Sequence, residues 1–154
     1  MVEKFKTLVW FAKRPLFYAH AGALVLRKFL PNKDGTEERC RAEEWAAARA
    51  VPVADALQAL GISGEPQVLD PALAEEGAAL ARRSAAAMGG PGDLLLLHTV
   101  TVLIRARTVI ETGVAYGWSS LAILSAQQNN GGGRLVSVDM PYPKMGNEPF
   151  VGIV

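Results

Sequence analysis

The chain has 154 residues, of which half are hydrophobic and a fifth charged, with a formal net charge of +1. That excludes a disordered, highly charged chain and predicts a single packed domain of ordinary size. Sixteen basic residues against fifteen acidic ones give no sign of a dedicated nucleic-acid binder.

Cys40 is the sole cysteine, and the histidines are His20 and His98. An intramolecular disulfide and a thiolate zinc cluster are therefore excluded, and no multi-histidine metal centre is expected. A reducing, cytoplasmic setting fits best. Leu94 to Ile104 is largely apolar, but it is about half as long as the roughly 20 residues of a spanning helix. The run Leu8 to Ala12 stops at Lys13, Arg14 and Pro15, so it does not read as a signal peptide.

Residues 1–35 form a basic, aromatic segment. Its first thirty residues hold six basic residues against Glu3 alone, a net +5, interleaved with Phe5, Trp10, Phe11, Phe17, Tyr18 and Phe29. Pro15 divides it into two short helical stretches. Two readings stay open: helices packed on the domain with solvated Lys and Arg, or a surface for an acidic membrane or a partner. Residues 31–35 read as a turn.

Residues 36–92 read as a helical region. Thr36 is placed to cap a helix running to about Ala50, with Glu37 and Glu38 in its first turn, and Pro52 interrupts it. Val53 to Leu60 continues as a short helix stopped by Gly61. Asp70-Pro71 starts the next, with Glu75 and Glu76 early, Arg82 and Arg83 late, and Gly89 to Gly92 ending it. Cys40 lies on a surface helix with no neighbour that would activate it.

Residues 93–154 change in character. Asp93 caps a buried helix running from Leu94 to about Arg105, in which His98 reads as a buried, hydrogen-bonded side chain rather than a base. Thr108 to Thr112 is a buried strand, Gly113 to Gly117 a tight turn, and Trp118 to Gln128 a helix. A flexible loop, Asn129 to Gly133, leads to a second strand, Leu135 to Asp139. Together these make one βαβ unit with an expected right-handed crossover and parallel strands. Phe150 to Val154 could add a short edge strand.

A glycine turn between strand and helix lets a ligand approach the backbone, and the helix N-terminus offers N–H groups to an anion. A carboxylate at the end of the neighbouring strand, Asp139, can accept hydrogen bonds from a ribose diol. A nucleoside with a polar or anionic tail is the expected ligand. Counted from Gly113, the second and third glycines of the dinucleotide fingerprint are replaced by Ala115 and Trp118. An NAD-binding domain is therefore the weaker alternative, and the P-loop pattern is absent. Tyr116 and Trp118 also read as packing residues.

Glu111-Thr112-Gly113-Val114-Ala115-Tyr116-Gly117 followed by a strand ending in Asp139 resembles the first motif and next acidic position of class I S-adenosylmethionine-dependent methyltransferases. The resemblance is greatest to the small O-methyltransferase-like branch and covers roughly residues 90 to 143. It implies a Rossmann-like α/β methyltransferase fold preceded by several helices, of which this chain is expected to hold the N-terminal portion, truncated after the second strand. It also implies S-adenosyl-L-methionine as cofactor and the oxygen of a small molecule as methyl acceptor. Gly113, Ala115 and Gly117 would form the turn under the methionine part, and Glu111 would hold the amino group directly or through water. Tyr116 and Ser119 would line the pocket, Asp139 would bind the ribose hydroxyls, and Met140 would flank the adenosine. That family often has Gly where Ala115 stands. No catalytic base is assigned. Open strand edges on a partial sheet favour a homo-oligomer. The rival reading is a non-catalytic helical module that binds a partner or a membrane surface through residues 1–35.

Overall fold

The computed structural model describes residues 9–27, 29, 36–84, 87–139 and 151–154. They fall into two units, Met1–Val51 and Pro52–Val154, with the boundary beside Pro52, where the helix pattern is interrupted.

In the first unit, residues 9–12 are helical and a 3-10 turn covers Pro15–Phe17. Helices α1 (Tyr18–Arg27) and α2 (Thr36–Ala47) follow. The break falls at Pro15, as its fixed φ and missing N–H require. Trp10 packs edge-on against Phe11 and tilted against Phe17, and the Arg14 guanidinium lies 4.3 Å above the Trp10 ring. Glu37 and Glu38 occupy the first turn of α2, where the dipole favours acids. Residues 37–50 are exposed throughout, so this helix gains no core burial.

The second unit holds the core. It contains α3 (Val53–Ala59), α4 (Pro71–Ala81), α5 (Leu94–Leu103), β1 (Thr108–Thr112), α6 (Trp118–Asn129) and β2 (Arg134–Val138). Asp70 and Asp93 cap as expected, accepting from the N–H groups of Ala72 and Leu96 at 2.9 Å. Helix α4 differs from expectation. It closes at Ala81 with Arg82 as its C-cap, before the glycine cluster. Counted from Pro71, Glu75 and Glu76 lie beyond its first turn, while Arg82 sits at the C-cap and Arg83 just past it, so no acid or base lies within the terminal turns.

Three helices end in the same device. Gly61, Arg105 and Gly131 take positive φ, and the next residue's N–H returns to the carbonyls of Leu57, Thr101 and Gln127 respectively. The side-chain amide of Asn130 also donates to the Thr101 and Val102 carbonyls at 3.2 Å, and Arg107 reaches the Gly132 carbonyl. Residues 129–133 are thus a bonded connection, not the flexible loop expected from composition.

Strands β1 and β2 pair in parallel, from Thr108 opposite Arg134 to Thr112 opposite Val138. The fold is a mixed one, mainly helical with a small two-stranded parallel sheet. Leu57, Leu69, Trp118, Ala122, Ile123 and Ala126 form the buried apolar core. β1 is buried on one face only: Glu111 is 7% exposed, whereas Ile110 is 75% exposed. The expected fully buried strand is therefore half-buried, because α5 and α6 supply the core and Ile110 points away from it.

His98 is buried, with Nδ1 2.8 Å from the Gln67 carbonyl, and its Nε2 has no hydrogen-bond partner. Thr99 Oγ1 accepts the Gln67 N–H at 2.8 Å. Together the two side chains bind α5 to the extended segment before α4. No helix among the described residues is long and apolar enough to cross a membrane.

Candidate functional site

The site is built at the carboxyl end of the two-stranded sheet. β1 ends at Thr112, and the ladder continues one step as the Gly113 N–H donates to the Val138 carbonyl at 2.8 Å. The chain then turns into α6 through three residues of positive φ: Gly113 (81°), Ala115 (50°) and Gly117 (99°). Gly113 is exposed, and a Cβ there would meet nothing within 4 Å. Glycine is needed there for its backbone conformation, and the space beside it is open to a ligand. Ala115 adopts the left-handed conformation without that freedom, which costs on the order of 1 kcal/mol.

Asp139 follows β2 directly. Its Oδ2 accepts the N–H groups of Val114 and Ala115, both at 3.0 Å. The carboxylate thus ties the end of one strand to the turn that follows the other. These are N–H groups of the turn itself, distinct from those at the start of α6 that the sequence pattern offers to an anion, and the protein's own carboxylate takes them. A ribose diol would have to share Asp139 with the turn.

Glu111 points to the opposite side of β1 from Ile110 and is enclosed by hydroxyls. Ser119 and Ser120 donate to its two oxygens, Ser120 at 2.6 Å, and Ser137 donates across the ladder at 2.7 Å. Because Ser137 sits opposite Glu111 in register, all partners lie on one face. Three of the carboxylate's about four lone-pair directions are used. Glu111 therefore binds β1, β2 and the start of α6 into one piece. Gly117, the N-cap of α6, provides no side-chain acceptor for the first N–H groups of that helix.

The structure thus brings Glu111, Gly113, Ala115, Gly117, Ser119 and Asp139 to one corner of the second unit. Tyr116 is buried, as is Trp118 behind it. Met140 lies outside the described residues. Sequence reasoning missed Ser120 and Ser137, although the alternation of β2 and its pairing with β1 would place Ser137 beside Glu111. It also missed residues 151–154. These form no edge strand, yet the N–H groups of Gly152 and Val154 donate to the carbonyls of Ala115 and Tyr116, each at 2.9 Å. Among the described residues, no group of three or more His, Cys, Asp or Glu could hold a metal ion.

Compared with known proteins, the chain matches no family model, no curated protein and no solved structure.

Proposed function

We propose that the second unit carries the nucleoside-binding corner of a Rossmann-like, class I S-adenosylmethionine-dependent methyltransferase that acts on the oxygen of a small molecule. The observation that carries this reading is the tie from Asp139 to the Val114 and Ala115 N–H groups across a parallel strand–turn–helix–strand unit. It puts a carboxylate at the end of β2 beside the exposed Gly113.

The residues fit the group. Open space at Gly113 admits a ligand against the backbone, and Asp139 supplies the acceptor a ribose diol needs. The N–H groups at the start of α6 suit the carboxylate of a methionine tail. Ser119 shares its hydroxyl with Glu111 at the same edge, so Glu111 supports the site mainly by fixing that edge. When bound, S-adenosylmethionine supplies a sulfonium-activated methyl group. The protein's part is to align that methyl with the acceptor oxygen. A dinucleotide reading is less well supported. The third glycine position is Trp118, whose indole packs against Gly77 of α4.

Isothermal titration of the chain with S-adenosylhomocysteine tests the reading. Binding is expected, and Asp139→Ala should abolish it or weaken it by at least about tenfold, the loss of one charge-assisted hydrogen bond. Absence of binding by the wild-type chain would refute the proposal.

A second reading concerns the first unit. From Val9 to Phe29 the chain has four basic residues and no acidic one. Leu16 is 95% exposed and Phe29 81% exposed. Such a segment suits the surface of an anionic bilayer, with aromatics at the headgroup level. Co-sedimentation with phosphatidylserine-containing vesicles should be lost on replacing Lys13, Arg14, Arg27 and Lys28 by Glu. Equal sedimentation with neutral vesicles, or none at all, would remove this reading.

A further inference from the structure

Residues 151–154 meet the glycine turn in a way that the resemblance does not account for. Ala115 is held at both of its backbone polar groups. Its N–H donates to Asp139 Oδ2, and its carbonyl accepts the Gly152 N–H. The next carbonyl, of Tyr116, accepts the Val154 N–H. An alanine at φ 50° is strained, and a strained residue persists only where its surroundings fix it. Here the fixing comes from two sides, a carboxylate and a chain segment.

Three glycines make the approach possible. A Cβ on Gly117 would lie 3.1 Å from the Gly152 Cα and 3.3 Å from the Val154 carbonyl oxygen. Gly152 itself has φ 67°, a conformation that suits glycine. Gly77 is the seat: a Cβ there would fall 2.6 Å from Val154 Cγ1 and 2.9 Å from the Trp118 ring. A glycine within α4 weakens the helix relative to alanine, and close contact with Val154 and Trp118 explains its presence.

We propose that residues 151–154 form a clasp that holds Ala115 and Tyr116 in the conformation that presents the turn to Asp139. Gly152 and Gly77 are then positioning residues for the nucleoside ligand of that turn. The ligand part of this inference rests on the S-adenosylmethionine reading. With the clasp undocked, Ala115 relaxes towards ordinary negative φ. Its N–H leaves Asp139, and the carboxylate loses the orientation in which it would meet a ribose.

The test combines amide hydrogen exchange without ligand and titration with S-adenosylhomocysteine, both on the full chain. In the wild type, the amides of Ala115, Gly152 and Val154 should be protected. Gly152→Pro removes the donor to Ala115 and cannot adopt the positive φ. It should expose the Ala115 and Val114 amides and raise the dissociation constant about tenfold, as the loss of one or two backbone hydrogen bonds would. Val154→Pro removes only the second bond and should have a smaller effect in the same direction. Gly152→Ala keeps the N–H but is strained at φ 67°, so its Ala115 protection and affinity should fall between those of the wild type and of Gly152→Pro. A merely structural role would lower the melting temperature without this parallel between Ala115 exchange and affinity.

An unprotected Val154 amide in the wild type overturns the clasp. So does a Gly152→Pro chain that stays folded with Ala115 protection and affinity unchanged. If Gly152→Pro fails to fold, the Val154→Pro chain decides by the same two readouts. If the wild type shows protected amides but binds no S-adenosylhomocysteine, the cofactor reading fails and the ligand part of the inference with it. The exchange of Ala115 in the variants then still decides whether the clasp exists.

Discussion

Among the described residues of Met1–Val51, side-chain hydrogen bonds reach four to six residues along the chain. In Pro52–Val154 they reach as far as 32. Arg14 folds back on Trp10 and Arg49 on Trp45, while Arg41 pairs with Glu37. Such contacts support a helix wherever it lies, each worth a few tenths of a kcal/mol. In the second unit, Thr99 holds Gln67, Asn130 caps α5, Ser137 holds Glu111 and Asp139 holds the turn. These bonds exist only if the elements are already assembled. Among its described residues the first unit thus keeps Lys13, Arg14 and the Trp45 ring exposed, with Trp10, Phe11 and Phe17 half-buried against one another. The second uses polar groups as internal ties and leaves Gly113 exposed at the start of one turn.

Three substitutions sharpen this contrast, in falling order of effect. Glu111→Ala removes the acceptor of three hydroxyls and leaves a space at the junction of β1, β2 and α6. It should destabilise the second unit by about 3 kcal/mol, seen as a lower midpoint in urea unfolding. Amide exchange in α2 should not change, because its contacts are local. Asp139→Ala removes two hydrogen bonds at a half-buried position and should cost about 1–2 kcal/mol in the same assay, besides its effect on binding. Trp45→Ala removes an exposed ring that meets Arg49, and should change the midpoint by less than about 0.5 kcal/mol. If Trp45→Ala matched Glu111→Ala, the contrast between local and long-range support would be wrong.

Much of this was legible along the chain, for local reasons. Asp70-Pro71 and Asp93 announce helix starts because a capping carboxylate reaches an N–H only two or three residues on. Pro15 and Gly61 mark breaks through backbone restrictions that they carry with them. Strand, glycine turn, helix and strand follow from the runs of residue types around Gly113, and Asp139 from its place as the last residue of the second run, although β2 itself ends at Val138. The early end of α4 was missed because the glycine cluster at 89–92 is a stronger stop signal than anything at Ala81. The firmness of residues 129–133 was missed because glycine and asparagine suggest freedom. Here Gly131 supplies a helix C-cap and Asn130 reaches another helix's carbonyls.

Local residue patterns were enough to fix the helix starts at Pro71 and Leu94, and that a turn, a helix start and an acid share one βαβ unit. Tertiary structure decided what those residues meet. The hydrogen-bonding register of β2 brings Ser137 to Glu111, making that carboxylate chiefly a tie between elements. The end of β2 turns Asp139 onto the backbone of residues 114 and 115, and residues 151–154 close on the carbonyls beside them. A cap needs only its next three residues, and so can be read from them. A carboxylate's partners across a sheet depend on register and packing, which no short stretch of sequence contains.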